Sequence, residues 1–409
     1  MRIDRDNIEE ILITITRNKT RSFLTAFGVF WGIFMLVFML GGGHGMKKLL
    51  SRELSGVANN SGFVLSNSTS VPYKGFRKGR RWMLEMKDLE AIKKINGLEV
   101  VAANNSRGGK IFIYGDKKYD DGNLRGLTPS FQMIEDQQIK YGRFINDVDM
   151  REERKVCVIG KKVYQQLFEE GENPCGHFLQ VDGVYYTIIG LSVADGNLNL
   201  NGYPPESVAV PITTMQRLYN YGNRLELIAF TMKPGTHVDD VMPKIEQIVK
   251  ERHLIAPTDK QAVQSINAET LFKMIDDLMG GIEVLIWMVG LGTLLAGAIG
   301  VSNIMMVTVK ERTTEIGIRR AIGAKPRDIL QQILSESMTI TCVAGMAGVC
   351  FGVFILEMIE KVTGKTGLQV SFWLAIGTCI ILLILSIMAG LAPAYRAMAI
   401  KPIDAIRDE

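Results

Sequence analysis

Three Gly-Lys pairs are the first residues in this sequence that suggest chemistry, because such a pair ends the loop that binds the phosphates of ATP. The pairs are Gly109–Lys110, Gly160–Lys161 and Gly364–Lys365, the last followed by Thr366. That loop also needs a glycine five residues before the glycine of the pair. Those positions hold Asn104, Lys155 and Ile359. We therefore expect no ATPase and no bound cofactor in this chain.

Other catalytic patterns are also missing. The histidines, which are His44, His177, His237 and His253, are far apart and lack the HExxH spacing of a zinc site. The many Ser, Asp and Glu residues show no nucleophile elbow. We predict no catalytic residue, no metal site and no enzyme activity in this chain.

The cysteines leave one question open. Cys342, Cys350 and Cys379 lie in apolar windows and are expected to act as small apolar side chains. Cys157 and Cys175 lie in the polar part of the chain and could pair in an oxidising compartment. The sequence does not decide whether they do.

Long segments without Asp, Glu, Lys or Arg organise the rest of the chain. Residues 22–46, 284–309 and 337–356 and a stretch within 366–395 are of this kind. Each is long enough to cross a hydrocarbon core of about 30 Å at roughly 1.5 Å per residue. We predict spans at 22–46, 284–309, 329–356 and 371–395, with a short external loop at 357–370. Charged residues deep within these spans, which would mark an ion path, are missing.

Basic residues set the predicted orientation. Arg17, Lys19 and Arg21 precede the first span, and Arg396, Lys401 and Arg407 follow the fourth. Both termini are therefore expected in the cytoplasm. Residues 1–21 carry apolar side chains at helical spacing, which predicts an amphipathic helix lying on the inner membrane face or packed on protein. The modest net charge of +4 gives no reason to expect nucleic acid as a partner.

Residues 47–267 contain no spanning segment and have the composition of an α+β domain, which this topology puts outside the cytoplasm. Strands are predicted at 110–114, 155–159, 185–191, 207–211 and 227–232, and helices at 86–95 and 238–252. Residues 268–283 place apolar side chains on one helix face and predict a stalk that runs into the second span.

The charged loop at 310–328 lies between the second and third spans. Residues 314–321 are predicted to form a short helix, Gly323 and Pro326 to form a turn, and Asp328 to cap the next helix from Ile329. Ile316, Ile318 and Ile322 among basic side chains suit docking into an apolar, acid-rimmed groove of a partner. The same charges equally suit a loop lying on anionic lipid headgroups.

Glycines in the first two spans could permit close helix packing. Gly28 and Gly32 form a GxxxG pattern, and Gly297 and Gly300 lie in the second span. We predict these four positions as candidates for packing between two copies of the chain.

The loop also carries a family resemblance. The run NIMMVTVKERTTEIGIRRAIGAKPRDILQQILSES resembles the cytoplasmic segment of MacB/FtsX-like ABC transporter permeases, where ERTREIGIRKAIGA is typical. ITRNKTRSFLTAFGVFWGI looks like their entry to the first span, and APAYRAMAIKPIDAIRDE like their ending. YGRFINDVDMREERKVCVIGKKVYQQLF, GHFLQVDGVYYTIIGL and VAVPITTMQRLY resemble the MacB-type periplasmic domain. The resemblance covers almost the whole chain in the right order.

The resemblance implies a type VII ABC superfamily fold. Four membrane helices would carry an α+β periplasmic domain of two subdomains between helices one and two, with the FtsX-like permease domain at about 284–402. The protein would lie in the cell inner membrane as a homodimer or close heterodimer. The loop would be the coupling helix, through which a cytoplasmic ATPase holding ATP and Mg drives mechanotransmission. The residues implied in coupling are Glu311, Arg312, Thr314, Glu315, Ile316, Gly317, Arg319, Arg320, Ala321, Gly323 and Ala324.

The expected function is that of a permease subunit of a tripartite efflux pump. Because the chain begins about twenty residues before its first span, we expect the ATPase to be a separate subunit. A membrane-fusion adaptor and an outer-membrane channel would then export peptides, toxins or antibiotics from the periplasm. Two alternatives remain: lipoprotein release from the inner membrane, as in LolC/LolE, and FtsX-like regulation of a cell-wall hydrolase.

Overall fold

The protein was analysed as a computed structural model, which describes residues 19–53, 56–194, 201–363 and 372–400. Most of the predicted N-terminal helix at 1–21, the end of the loop at 357–370 and the tail after residue 400 lie outside the described residues. The chain divides into two compact units. We call Met1–Leu49 with Asp277–Glu409 the membrane unit, and Leu50–Asp276 the sheet unit.

Helices and strands alternate in the sheet unit, and long helices form the membrane unit. In the described residues the helices are α1 Lys19–Glu53, α2 Met86–Ile92, α3 Asp147–Arg151, α4 Lys161–Leu167, α5 Ile212–Leu218, α6 Val238–Arg252, α7 Ala268–Glu311, α8 Thr313–Ala321, α9 Pro326–Thr363 and α10 Phe372–Met398. The strands are β1 Ser61–Ser66, β2 Leu84–Glu85, β3 Leu98–Tyr114, β4 Lys117–Leu127, β5 Ile139–Gly142, β6 Val156–Gly160, β7 Phe178–Val181, β8 Val184–Ser192, β9 Ser207–Pro211, β10 Arg224–Leu225, β11 Leu227–Met232 and β12 Val263–Asn267.

Four helices are long and apolar enough to cross a membrane, which confirms the predicted number of spans. The apolar segments are Ala26–Leu50, Ala268–Glu311, Pro326–Val362 and Ile376–Met398. The helices run past the predicted span limits because polar residues at a membrane surface can continue a helix in water. The predicted stalk at 268–283 and the second span form one continuous helix, α7.

The spans pack around one apolar cluster in the membrane unit. Ile33 and Val37 of α1, Leu294 and Val301 of α7, and Ala394 of α10 are among its buried members. Glycines let α1 approach α7 closely. A Cβ on Gly297 would lie 3.1 Å from the carbonyl oxygen of Gly28, and a Cβ on Gly32 would lie 3.2 Å from that of Thr293. Gly28, Gly32 and Gly297 therefore lie at the contact between α1 and α7 of the same chain.

A ten-stranded mixed sheet forms the sheet unit, in the order β12-β1-β11-β3-β4-β9-β6-β8-β5, with β7 pairing to both β3 and β8. The β4–β9 and β6–β8 pairs are parallel, and the other pairs of this sheet are antiparallel. Because β7 joins β3 to β8, the strands β3-β4-β9-β6-β8-β7 close into a ring. Phe112, Leu124, Tyr186 and Val208 are among the buried side chains of one apolar cluster on these strands.

The long strand β3 belongs both to this ring and to the open part of the sheet. Its first half pairs with β11, where Ala102 lies opposite Ala229, and its last residues pair with β7, where Phe112 lies opposite Val181. The β3–β4 register shifts between Arg107 and Lys110. Separate apolar clusters on the two parts of the sheet are therefore joined by one continuous strand.

Candidate functional site: the short helix between the second and third spans

The helix α8 begins where α7 ends. Arg312 has φ −98° and ψ 12°, which interrupts the helical path for one residue. At the other end, Ala324 N donates to Arg319 O at 3.0 Å and Gly323 N donates to Arg320 O at 3.2 Å. Gly323 has φ +112°, which only glycine adopts readily. This bond pattern is a Schellman motif, and it confirms the predicted turn at Gly323.

The third span begins earlier than predicted. The helix α9 starts at Pro326 rather than Ile329. Proline suits the first helical position because its missing N–H would have no partner there. The Asp328 carboxylate accepts a hydrogen bond from Lys325 N at 3.1 Å, so it caps the helix from inside its first turn.

The inner face of α8 packs on the spans of its own chain. Ile316 is 8% exposed and belongs to the apolar cluster of the membrane unit, with Met305, Ile329 and Ile333. Gly317 is also buried. The expectation that Ile316 docks into a partner is therefore wrong: its side chain already fills a site between α7 and α9.

Charged side chains tie this inner face to α9. Arg312 Nη1 lies 3.3 Å from Glu336 Oε2, and the Glu336 side chain is 6% exposed. Glu315 accepts from Arg312 at 3.2 Å and from Arg319 at 3.0 Å. Arg319 Nη1 also donates to Gln332 Oε1 at 2.9 Å. The predicted coupling residues Arg312, Glu315 and Arg319 thus form one network within the chain.

Arg320 connects α8 to the fourth span. Its Nη1 donates to the carbonyl oxygen of Met398 at 2.9 Å and to that of Ile400. Met398 ends α10 and Ile400 lies just beyond it, where a cation compensates unpaired acceptors and the negative end of the helix dipole. The short helix is therefore bonded to α9 and α10, and it follows α7 directly along the chain.

The outer face of α8 is apolar in part. Ile322 is 83% exposed and Ile318 is 46% exposed. Thr314, Glu315 and Ala321 are exposed beside them, Glu311 is exposed at the end of α7, and Ala324 is half-buried. Ile318 and Ile322 are thus large apolar side chains that α8 leaves exposed.

Two residues that hold α8 in place were missed from the sequence. Gln332 and Glu336 lie one helical turn apart in α9 and hold Arg319 and Arg312. Glu336 directly precedes the charge-free window at 337–356. Gln332 and Glu336 are four residues apart and so share one face of the helix that enters the third span. This spacing could have indicated that they bind the basic side chains of the preceding loop.

The remaining predicted positions do not assemble a second site. A Cβ added at Gly300 would meet no heavy atom within 4 Å, so the role of Gly300 between two copies stays a prediction. Cys157 and Cys175 are both free thiols, and burial raises the pKa of Cys157 far above its ordinary value. In the part of the chain that the structure describes, no group of three or more His, Cys, Asp or Glu residues is placed to hold a metal ion.

Two family models match the chain and between them cover most of it. The MacB-like periplasmic core domain matches residues 22–248, and the FtsX-like permease C-terminal domain matches residues 287–402. The second match contains the whole of α8.

Relatives match along nearly the full length of the chain. The macrolide export ATP-binding/permease protein MacB of Bdellovibrio bacteriovorus is 28% identical over 97% of this chain and 60% of its own length. The uncharacterised ABC transporter permease YknZ of Bacillus subtilis is 25% identical over 99% of both chains. An uncharacterised ABC transporter permease of Methanocaldococcus jannaschii is 26% identical over 100% of this chain and 99% of its own. The chain thus spans about three fifths of the MacB relatives.

One similar solved structure is the periplasmic region of MacB from Actinobacillus actinomycetemcomitans. It covers 55% of this chain and 95% of its own, with 19% sequence identity and a TM-score of 0.44. The family models, which match more than half of the chain, carry the assignment. The chain belongs to the MacB/FtsX-like family of ABC transporter permeases.

Proposed function

We propose that this permease transmits the movements of a separate cytoplasmic ATPase to its extracytoplasmic sheet unit, and so drives efflux of periplasmic substrates. The ATPase would hold ATP and Mg, since the Gly-Lys pairs of this chain lack the earlier glycine of a phosphate loop. Peptides, toxins or antibiotics would leave through an adaptor and an outer-membrane channel. A second permease copy and the lipids of the inner membrane would complete the assembly, with both termini in the cytoplasm.

One observation carries the proposal: α8 is fixed on its inner face and exposes Ile318 and Ile322 on its outer face. Ion pairs and hydrogen bonds connect it to α9 and α10. A force applied to Ile318 or Ile322 would therefore reach three spans together, because the helix cannot move without moving the groups that hold it. A loop built only to rest on lipid headgroups would need neither the buried Ile316 nor the bond to Met398.

The structure also changes which residues should be tested. Arg319 and Glu315, which the sequence suggested as contacts to the ATPase, already bind each other. Reversing either charge would disturb α8 itself. Ile318 and Ile322 can be altered without removing an internal contact of this network, so they report on docking.

The experiment compares full-length permease with an Ile318→Asp, Ile322→Asp double variant. Affinity-tagged protein is purified from the native host in mild detergent, and the captured ATPase is quantified with its activity. We expect the double variant to lose most of the ATPase while staying folded in the membrane. The matched control is Phe178→Asp, at a 62% exposed position of the sheet unit, and this variant should still capture the ATPase.

If the double variant still captured the ATPase, the proposal that the ATPase docks on Ile318 and Ile322 would be wrong. The same purification tests the efflux route through what else is captured. Capture of an adaptor would support the efflux function. Capture of a lipoprotein would support lipoprotein release instead, and capture of a cell-wall hydrolase would support regulation of that hydrolase.

A further inference from the structure

Residues 68–82 form a projecting hairpin in the sheet unit, which we call the basic hairpin. Tyr73 N donates to Phe76 O at 3.1 Å and Phe76 N donates to Tyr73 O at 2.9 Å. Between them, Lys74 has φ +45° and Gly75 has φ +85°. Two successive positive φ angles are the mark of a type I′ turn, the tight turn of two-residue hairpins. The tip therefore has a defined shape.

The base of the basic hairpin is held by a buried carboxylate. Asp259 is fully buried and accepts from Ser70 N at 2.7 Å, Ser70 Oγ at 2.7 Å and Val71 N at 3.0 Å. On the other arm, Arg80 Nη2 donates to the carbonyl oxygen of His253 at 2.5 Å, and Trp82 Nε1 donates to that of Ala262 at 3.1 Å. The segment 253–262 thus fixes both arms.

The outside of the hairpin is strongly cationic. It contains five cations and no acid, and its cations are Lys74, Arg77, Lys78, Arg80 and Arg81. None of these five forms an ion pair with a carboxylate among the described residues. Four of them are exposed, and the Arg80 guanidinium lies 4.1 Å from the ring centroid of Phe76, which is 42% exposed.

This arrangement costs free energy unless an anion is bound. Like charges on a short hairpin repel one another, yet the base is fixed in a way that keeps them together. A site whose shape is set beforehand loses little conformational entropy on binding, which favours affinity. Arginines favour carboxylates in particular, because the planar guanidinium matches both oxygens.

The mixed chemistry of the hairpin favours a protein partner. Its tip presents the exposed ring of Phe76 among the cations. A peptide segment can carry carboxylates and apolar side chains next to each other, which suits this combination of arginines and an aromatic ring.

We propose that the basic hairpin is a docking surface for an acidic segment of an extracytoplasmic protein. Carboxylates of that segment meet Arg77, Lys78 and Arg81, and an apolar side chain lies against Phe76. This inference concerns the sheet unit and does not depend on α8 or on the ATPase.

The test measures binding of a fluorescein-labelled Glu-Ala repeat peptide to full-length permease in nanodiscs of neutral lipid, by fluorescence anisotropy. A Gln-Ala repeat peptide is the neutral control. The variant Arg77→Glu, Lys78→Glu is compared with Lys117→Glu, Lys118→Glu, which reverses two exposed cations beside another tight turn. We expect the Kd for the Glu-Ala peptide to rise ~10-fold or more in the first variant and to change by less than ~2-fold in the second.

Binding should also weaken as ionic strength rises, because exposed charges are screened. The proposal would be overturned if the two double variants lost affinity for the Glu-Ala peptide equally. It would also be overturned if the wild-type protein bound the Glu-Ala and Gln-Ala peptides equally. Binding of the wild-type protein to phosphatidylglycerol vesicles without binding to the acidic peptide would overturn it as well, and would assign the hairpin to lipid.

Discussion

Arg320 on the short helix α8 donates a hydrogen bond of 2.9 Å to the carbonyl oxygen of Met398, 78 residues further along the chain. This contact joins the loop after the second span to the end of the fourth span. Arg320 thus links the short helix to the C-terminal end of the FtsX-like part of the chain, so a movement of α8 is expected to move α10.

Replacing Arg320 should loosen this link. In Arg320→Ala, the last carbonyls of α10 lose a charged donor, at a local cost of about 1–3 kcal/mol. Hydrogen–deuterium exchange at residues 394–400 should become faster, and ATP-driven transport should fall. Arg327→Ala, which removes an exposed cation from the first turn of α9, serves as the control and should leave both unchanged. Unchanged exchange in Arg320→Ala would show that the bond does not hold α10.

Glycine substitutions should separate packing within one chain from packing between copies. Gly297→Leu places side-chain atoms against the backbone of Gly28, where a Cβ alone would lie at 3.1 Å, and should lower the free energy of unfolding by about 1–3 kcal/mol. Gly300→Leu meets no heavy atom within 4 Å of its Cβ and should leave thermal stability in detergent nearly unchanged. If Gly300 packs between two copies, mass photometry should show fewer dimers. Equal stability losses in both variants would contradict this assignment.

Asp259 should make the sheet unit sensitive to acid. Burial raises the pKa of Asp259, but hydrogen bonds from Ser70, Val71 and Gln261 outweigh it and lower that pKa to about 2. Because the folded-state pKa lies below the ordinary value of 3.8, the stabilisation is present above pH 4 and is lost as pH falls towards 2. Its size is about 2 kcal/mol.

Calorimetry of wild type and Asp259→Asn across this pH window checks the prediction. The variant should be less stable near neutral pH, and the difference from wild type should shrink below pH 3. A difference that stays constant with pH would show that the Asp259 carboxylate does not titrate as expected.

His237 should titrate above its ordinary range. Hydrogen bonding to Glu269, with Nδ1 2.5 Å from Oε1, raises the pKa of His237. The same pair, with the Val238 amide, lowers the pKa of Glu269. The pair therefore stabilises the fold fully between pH 4.5 and 6.5; the contribution is lost as pH rises through the raised pKa of His237, and again as pH falls and Glu269 is protonated. An NMR titration of the His237 ring should show a lower pKa in Glu269→Gln, which keeps an acceptor for the Val238 amide. An unchanged pKa in that variant would exclude the pair as the cause.

Regular elements could be predicted from the sequence where one principle dominates. The strands β9 and β11 and the helix α6 have the predicted bounds, because runs of Val, Ile and Phe or a strong helical stripe end at clear turn residues. Only the last residues of the long strand β3 were predicted. Its middle contains Asn104 and Asn105, which disfavour strands in isolation but here are buried and donate to the carbonyl oxygens of Asn201 and Arg224. It also contains the exposed Gly108 and Gly109, where the pairing with β4 shifts in register.

The functional face of α8 could be predicted only in part. The helix, the turn at Gly323 and the charged character of the loop followed from the sequence. Which side of α8 faces inward did not, because the spans α7 and α9 determine it. The basic hairpin shows the same limit: its cations are plain in the sequence, but Asp259, which holds them in place, lies 189 residues after Ser70.

The closed ring of six strands restricts how the sheet unit can meet an extended peptide. In a ring, each strand already has a neighbour on both sides, so the paired main-chain donors and acceptors are closed to an added strand. A peptide cannot be captured there by adding a strand and must be recognised through side chains on the outer surface, such as Ile113, Phe178 and Tyr185. Selection can exchange those side chains one by one without disturbing the backbone pairing, so this surface can acquire new preferences while the architecture stays the same.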